Sequence, residues 1–273
     1  MHTRLNGIMI FLIIVCPYLC KAEEQNDETN KNDPQHNIKM WALGCAGVLN
    51  ERNHGRHDSL NPGDINEKNI KSWKRTLDQW DVKTRSDLLE NLNWITTGGH
   101  RKDFAIRGIY VQRLSEDQFN ALKKKQSDFP EEQNRMLIAK TYYPSLGKKG
   151  LLGWDYSRYI CLCRWGYSVG LISEEEAWER IIPVARMLQK AFDSWEDLGR
   201  NYLIGRNFWS YQKTQENGQL YVDAFQRLLD MQSSPWNQYS WNMDLKDAPT
   251  SNDPNNQTDQ VLAVANEPDR SEE

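Results

Sequence analysis

Apolar residues recur at three- and four-residue intervals along most of the chain, the spacing of helices with one buried face. Ile38, Trp41, Ala42, Cys45, Val48 and Leu49 form the first stripe. Ile70, Trp73, Leu77 and Trp80 form a second, opened by the capping-box pattern Asp64-Ile-Asn-Glu67. Thr84 is placed to cap a third helix carrying Leu88, Leu89, Leu92 and Ile95, which Gly98-Gly99 would stop. Ser115-Glu-Asp-Gln118 starts a short helix through Phe119 and Leu122. Pro130 suits the first turn of another, with Met136, Leu137 and Ala139.

The second half is patterned more strongly. A helix from about Trp154 to Gly166 precedes the turn Gly170-Leu-Ile and the capping box Ser173-Glu-Glu-Glu176. The next carries Ala177, Trp178, Ile181, Val184, Ala185, Leu188 and Phe192. Ser194-Trp-Glu-Asp197 starts another with Trp195, Leu198, Tyr202 and Trp209, and a last one follows Gly218 with Leu220, Ala224, Phe225, Leu228 and Leu229. Phe104–Val111 alone has β character, and it has no strand partner. Roughly nine helices and no sheet imply an all-α fold, a single globular multi-helix domain over residues 38–242. No repeat period of 20–50 residues is present, which excludes a solenoid.

The ends follow different rules. Arg4 and the uncharged run Ile8–Cys20, 13 residues long, read as a signal peptide over residues 1–22, with cleavage after Ala22. A spanning helix needs roughly 20 apolar residues, so an uncleaved anchor is the weaker alternative. Residues 23–37 and 243–273 are polar and acidic, with too little apolar area to offset the entropy of ordering; both are expected to be a disordered linker and tail. The chain is thereby expected to be periplasmic or secreted, meeting a membrane only through the signal peptide during export.

Composition sharpens this division. The 273 residues carry a formal charge of −4, and the acidity lies in the flanks. Without residues 1–22 the charge is −6; residues 23–37 hold −4 of it and 243–273 hold −6, which leaves +4 on 38–242. An exported chain with no nucleic-acid motif is not expected to bind nucleic acid, whatever its total charge. Five cysteines, three of them beyond residue 22, are too few for a disulfide scaffold. Cys45 pairing with Cys161 or Cys163 is one reading, and three small buried hydrophobes the favoured one.

The strings Trp154-Asp-Tyr-Ser-Arg158, Gly166-Tyr167, Ser173-Glu-Glu-Glu-Ala-Trp178, Ser194-Trp-Glu196 and Tyr202-Leu-Ile-Gly-Arg-Asn-Phe-Trp209 stand in a fixed order. Together with Asn93-Trp94 and Gly99-His-Arg101 they resemble the signature of a bacterial family known as domain of unknown function 1266, over roughly residues 40–212. The resemblance brings no reaction with it.

Candidate chemistry centres on His100, Asp155, Arg158, Glu176 and Arg206. Asp155 and Arg158, three apart on a helix, share a face. One reading gathers all five into a cleft, with His100, Asp155 and Glu176 as acid and base and Arg158 and Arg206 holding an anion. Trp178, Trp195 and Trp209 would then supply stacking surfaces. The other reading makes Asp155–Arg158 and Glu176–Arg206 ion pairs that fix helix packing, with His100 bonding the free carbonyls of a helix end. His54-Gly-Arg-His-Asp58 has metal-ligand residue types but no third or fourth ligand in view, and a solvated loop is favoured. No Cys-X-X-Cys, HExxH, GxSxG or phosphate loop occurs, and no cofactor is expected. Trp236 and Trp241 are expected to be exposed, and Lys123–Lys125 and Lys148-Lys149 to be solvated. The role this supports is a binding or interaction module for an unknown protein or envelope ligand. The alternative is an envelope hydrolase, acting on peptidoglycan or another glycan through the His/Asp/Glu/Arg cluster.

Overall fold

A computed structural model describes residues 33–246, whose regular structure is helical, with no strand among them. The helices are α1 Pro34–Gly44, α2 Gly47–Arg52, α3 Glu67–Asp78, α4 Arg85–Thr97, α5 Gly99–Gln112, α6 Glu116–Lys125, α7 Pro130–Leu146, α8 Leu152–Ser168, α9 Glu174–Ala191, α10 Trp195–Trp209, α11 Tyr211–Asp230 and α12 Pro235–Gln238. They form one all-α globular domain. The expected signal peptide and most of the two expected disordered segments lie outside the described residues.

One helix is buried on every side. Almost all of α8 is shielded from solvent, and α2, α3, α4, α5, α9 and α10 all pack against it. Its sequence, LGWDYSRYICLCRWGYS, is apolar around most of its circumference, which is what a central helix requires. Several of its polar groups are satisfied inside the protein, while Trp154 Nε1, Tyr156 OH and Arg164 Nη1 are buried with no hydrogen-bond partner among the described residues. Ser157 Oγ donates to Cys45 O at 2.7 Å, and Arg164 donates to the carbonyls of Arg56, Ser59 and Leu60 at 2.7–3.1 Å. Close approach is set by small residues: a Cβ on Gly205 of α10 would fall 2.1 Å from Trp154 Cβ.

Helix starts follow local rules. Thr84, Ser115 and Ser173 each form a complete capping box. Helix α3 is capped by Asn66 and not Asp64, because the Asn66 side chain accepts from Asn69 N at 2.9 Å.

Several expectations are corrected. Phe104–Val111 is part of α5; Phe104, Gly108 and Val111 recur at helical spacing and are buried, so tertiary burial overrides β propensity. Helix α1 starts at Pro34 with Asp33 as its cap, inside the segment expected to be disordered, and Leu245 is buried beyond the expected end of the domain. The last long helix starts at Tyr211, with a non-helical Asn217 marking a kink before Gly218. Trp236 and Trp241 are buried, their indole N–H groups donating to Gly44 O and Phe192 O, while Trp94 is 43% exposed. Leu137 and Leu220 are likewise exposed.

Candidate functional site

The chain turns from α4 into α5 over two residues, and three of the sequence-predicted groups meet there. Gly99 adopts φ +58°, and a Cβ on it would lie 2.3 Å from Asp155 Oδ2. Only glycine meets both demands without strain. The Asp155 carboxylate, fully buried on α8, accepts four hydrogen bonds: His100 N–H and Arg101 N–H at 3.1 Å each, Arg101 Nη1 at 3.2 Å, and Arg158 Nη2 at 2.6 Å. It therefore caps the first turn of α5 from a different helix, where a negative charge is favoured by the helix dipole. Arg101 closes the other side, donating to Ile95 O and Thr96 O in the last turn of α4.

Aromatic rings surround these charges. The Arg158 guanidinium lies 4.2 Å from the Trp154 ring and 5.1 Å from Trp80, and its Nε donates to Trp154 O. His100 sits edge-on to Trp94 and Trp154, and its Nδ1 is 2.9 Å from Arg158 Nη2. Arginine can only donate, so Nδ1 accepts and the imidazole is neutral, with its proton on Nε2. Burial is the largest influence on His100 and pushes its pKa below the ordinary value against the pull of Asp155. For Asp155, burial pushes upward, but the contact with His100 and the charges of Arg158 and Arg101 outweigh it and hold the carboxyl below the usual range. This is a closed, saturated cluster, with no ligand-facing oxygen on the acid.

The remaining predicted residues lie elsewhere. Glu176 completes the Ser173 capping box and pairs with Arg85 of α4, joining two helix starts. The expected Glu176–Arg206 pair is absent among the described residues. Arg206 instead donates to Asn217 Oδ1 and Lys213 O at the α11 kink and stacks 4.0 Å from the Tyr221 ring centroid. Trp178 is buried, donating to Glu174 at 3.1 Å, and Trp195 is packed between Trp41, Trp236 and Trp241. Trp209 is partly exposed beside Trp154 and Arg206. His100, Asp155 and Arg158 are thus brought together; Glu176, Arg206, Trp178 and Trp195 are not part of that cluster.

The two histidines of the 54–58 segment part company. His57 turns inward between Asn50 and Glu51, whereas His54, at φ 55°, lies at the mouth of a cleft. The three cysteines described are free and buried. Burial raises all three thiols, Cys161 to about 12, so a nucleophilic thiolate is disfavoured.

The open cleft, of about 530 Å³, is lined by residues that sequence reasoning largely passed over. They include Arg52 at the end of α2, Ser72, Trp73 and Thr76 of α3, Trp165 of α8, and Leu220 and Arg227 of α11. Its volume is in the range of small-molecule sites. Among the described residues, no carboxylate lines it. Glu51, just behind, accepts from Arg227 Nε at 2.7 Å and contacts His57 Nε2 at 3.0 Å. Leu220, 51% exposed on an otherwise amphipathic helix, was the one signal in the apolar pattern that pointed here, and it became visible only once the fold was known.

No solved structure matches the chain. An uncharacterised protein of Escherichia coli strain K12, YbeU, is 27% identical over 147 residues, which is 52% of this chain. The match spans 59% of that protein's length. Residues 77–241, more than half of the chain, match the family described as protein of unknown function (DUF1266), and the chain belongs to that family.

Proposed function

We propose that the domain is an exported binding module and that its ligand face is the cleft between α2, α3, α8 and α11. One observation carries this reading: the only acids nominated for catalysis are engaged away from the open cleft, and the cleft wall holds no carboxylate among the described residues. Glycoside hydrolysis by the common route needs two carboxyl groups facing each other across the substrate. Asp155 has no solvent contact, and Glu176 is bound to Arg85 and its own helix start. Guanidinium, indole, hydroxyl and amide groups recognise and hold a ligand, and His54 has no carboxylate beside it in the cleft lining with which to work as an acid–base pair. Export is supported by Arg4, the apolar run Ile8–Cys20 and the small Ala22.

The test recovers the protein from osmotic-shock fluid, identifies its N-terminus, and incubates it with peptidoglycan. Glu23 is expected at the N-terminus, with no release of soluble glycan fragments. Asp155→Asn is expected to lower the melting temperature. Fragment release that disappears in Asp155→Asn at an unchanged melting temperature would establish the hydrolase instead.

A further inference from the structure

We infer that the cleft takes a small organic anion, a molecule with one carboxylate or phosphate group attached to a ring or other apolar body. The inference rests on the binding-module reading and adds the ligand's chemistry to it.

Charge comes first. Arg52 and Arg227 approach the cleft from different helices, and among the described residues Glu51 is the one carboxylate bonded to either. Arg227 meets it through Nε, and the side chain remains 41% exposed. Its two terminal nitrogens have no partner among the described residues and offer the fork that carboxylate and phosphate oxygens fit. Arg52 pairs with no carboxylate among the described residues: its Nη1 donates to the neutral Asn53 Oδ1, its Nε is buried without an acceptor, and its guanidinium carbon lies 5.3 Å from the Tyr221 ring centroid. One guanidinium charge at the wall is therefore uncompensated. The rest of the lining is suited to a neutral, partly apolar body. Trp73, Trp165 and Leu220 supply apolar surface, and Ser72, Thr76 and Asn53 supply neutral polar groups. Two cations in a cleft of about 530 Å³ are too few to track a nucleic-acid backbone.

Isothermal titration at low salt with 1-naphthyl phosphate, 1-naphthoate and the neutral 1-naphthylmethanol tests this on the mature chain. Both anions are expected to bind at least tenfold more tightly than the neutral compound, and the tighter of the two identifies the preferred anionic group. Arg52→Gln and Arg227→Gln are expected to weaken the anions tenfold or more while leaving the neutral compound unchanged. Lys190→Gln, an exposed charge outside the lining, should bind as wild type. Circular dichroism reports folding; should Arg227→Gln unfold because Glu51 loses its partner, Arg52→Gln alone carries the test. Equal binding of the neutral compound, or folded arginine variants that bind the anions as wild type does, overturns the anion assignment and leaves the binding module standing. Failure of all three compounds to bind overturns the inference as well, and the peptidoglycan assay then decides the reading beneath it.

Discussion

Arginine meets tryptophan and histidine in two parts of this molecule, with opposite results. Around Asp155, Arg101 and Arg158 converge on a fully buried carboxylate, and Arg101 also donates to two carbonyls in the last turn of α4. Around the cleft, Glu51 meets Arg227 alone, Arg52 bonds the neutral Asn53, and the lining remains open. The residue types are alike; what differs is how many guanidinium groups the acid engages. Asp155 takes both arginines, and the charges become a joint between α4, α5 and α8. Glu51 takes only Arg227 Nε, and the terminal nitrogens of Arg227 have no partner among the described residues. The motif strings that carry the family signature, Gly99-His-Arg101 and Trp154-Asp-Tyr-Ser-Arg158, are the two halves of that joint.

The largest expected effect comes from breaking the joint. Asp155→Ala removes the carboxylate from the buried Arg158, the half-buried Arg101 and two backbone N–H groups, and should destabilise by about 3–5 kcal/mol, a fall in melting temperature on the order of 10 °C. Gly99→Ala, which forces a Cβ into the same carboxylate from a left-handed backbone, should act in the same direction and be non-additive with it, since both disrupt one contact. Additive losses in a denaturant-unfolding cycle would separate the glycine from the acid.

A smaller effect follows from pH. His100 and His57 have folded-state pKa values below the ordinary 6.5, each chiefly through burial, so they favour the neutral form. Their contribution is complete above the ordinary value and is lost as pH falls through the lowered folded value. Asp155, held below 3.8, adds a second loss at still lower pH. Melting temperature should therefore decline from near neutrality downward, and Asp155→Asn should remove the most acidic part of the decline. A flat profile between pH 7 and 4 would contradict the neutral imidazoles. The smallest effect is expected at the cleft, where Arg52→Gln should change stability by less than about 1 kcal/mol because no carboxylate depends on it. A loss as large as that of Asp155→Ala would make the cleft arginine a second structural joint.

Legibility in the sequence followed the range of the interaction. Thr84, Ser115 and Ser173 each bond groups three residues away, and all three caps could be read directly. The apolar stripes located most helices, but spacing does not say which stripe is outermost, so Leu137 and Leu220 were assigned to a core they do not join. Trp236 and Trp241 failed in the reverse sense: a polar loop-like setting hid indoles whose N–H partners lie far away in the chain. The pairing of Asp155 with Arg158 was readable as a three-residue step, whereas its role as the cap of α5 was not, because that contact joins residues 54 and 55 positions apart. Glu176 and Arg206 were joined on charge alone, and the fold gave each a different partner.

The chain by itself determined its helices, their starts and its all-α class, because capping and amphipathic spacing are local and repeat within a few residues. Which charges became a sealed joint and which stayed open to solvent was decided only when α8 was surrounded. Burial is a property of the packed whole: it brought an acid to Arg158 and left Arg52 without one.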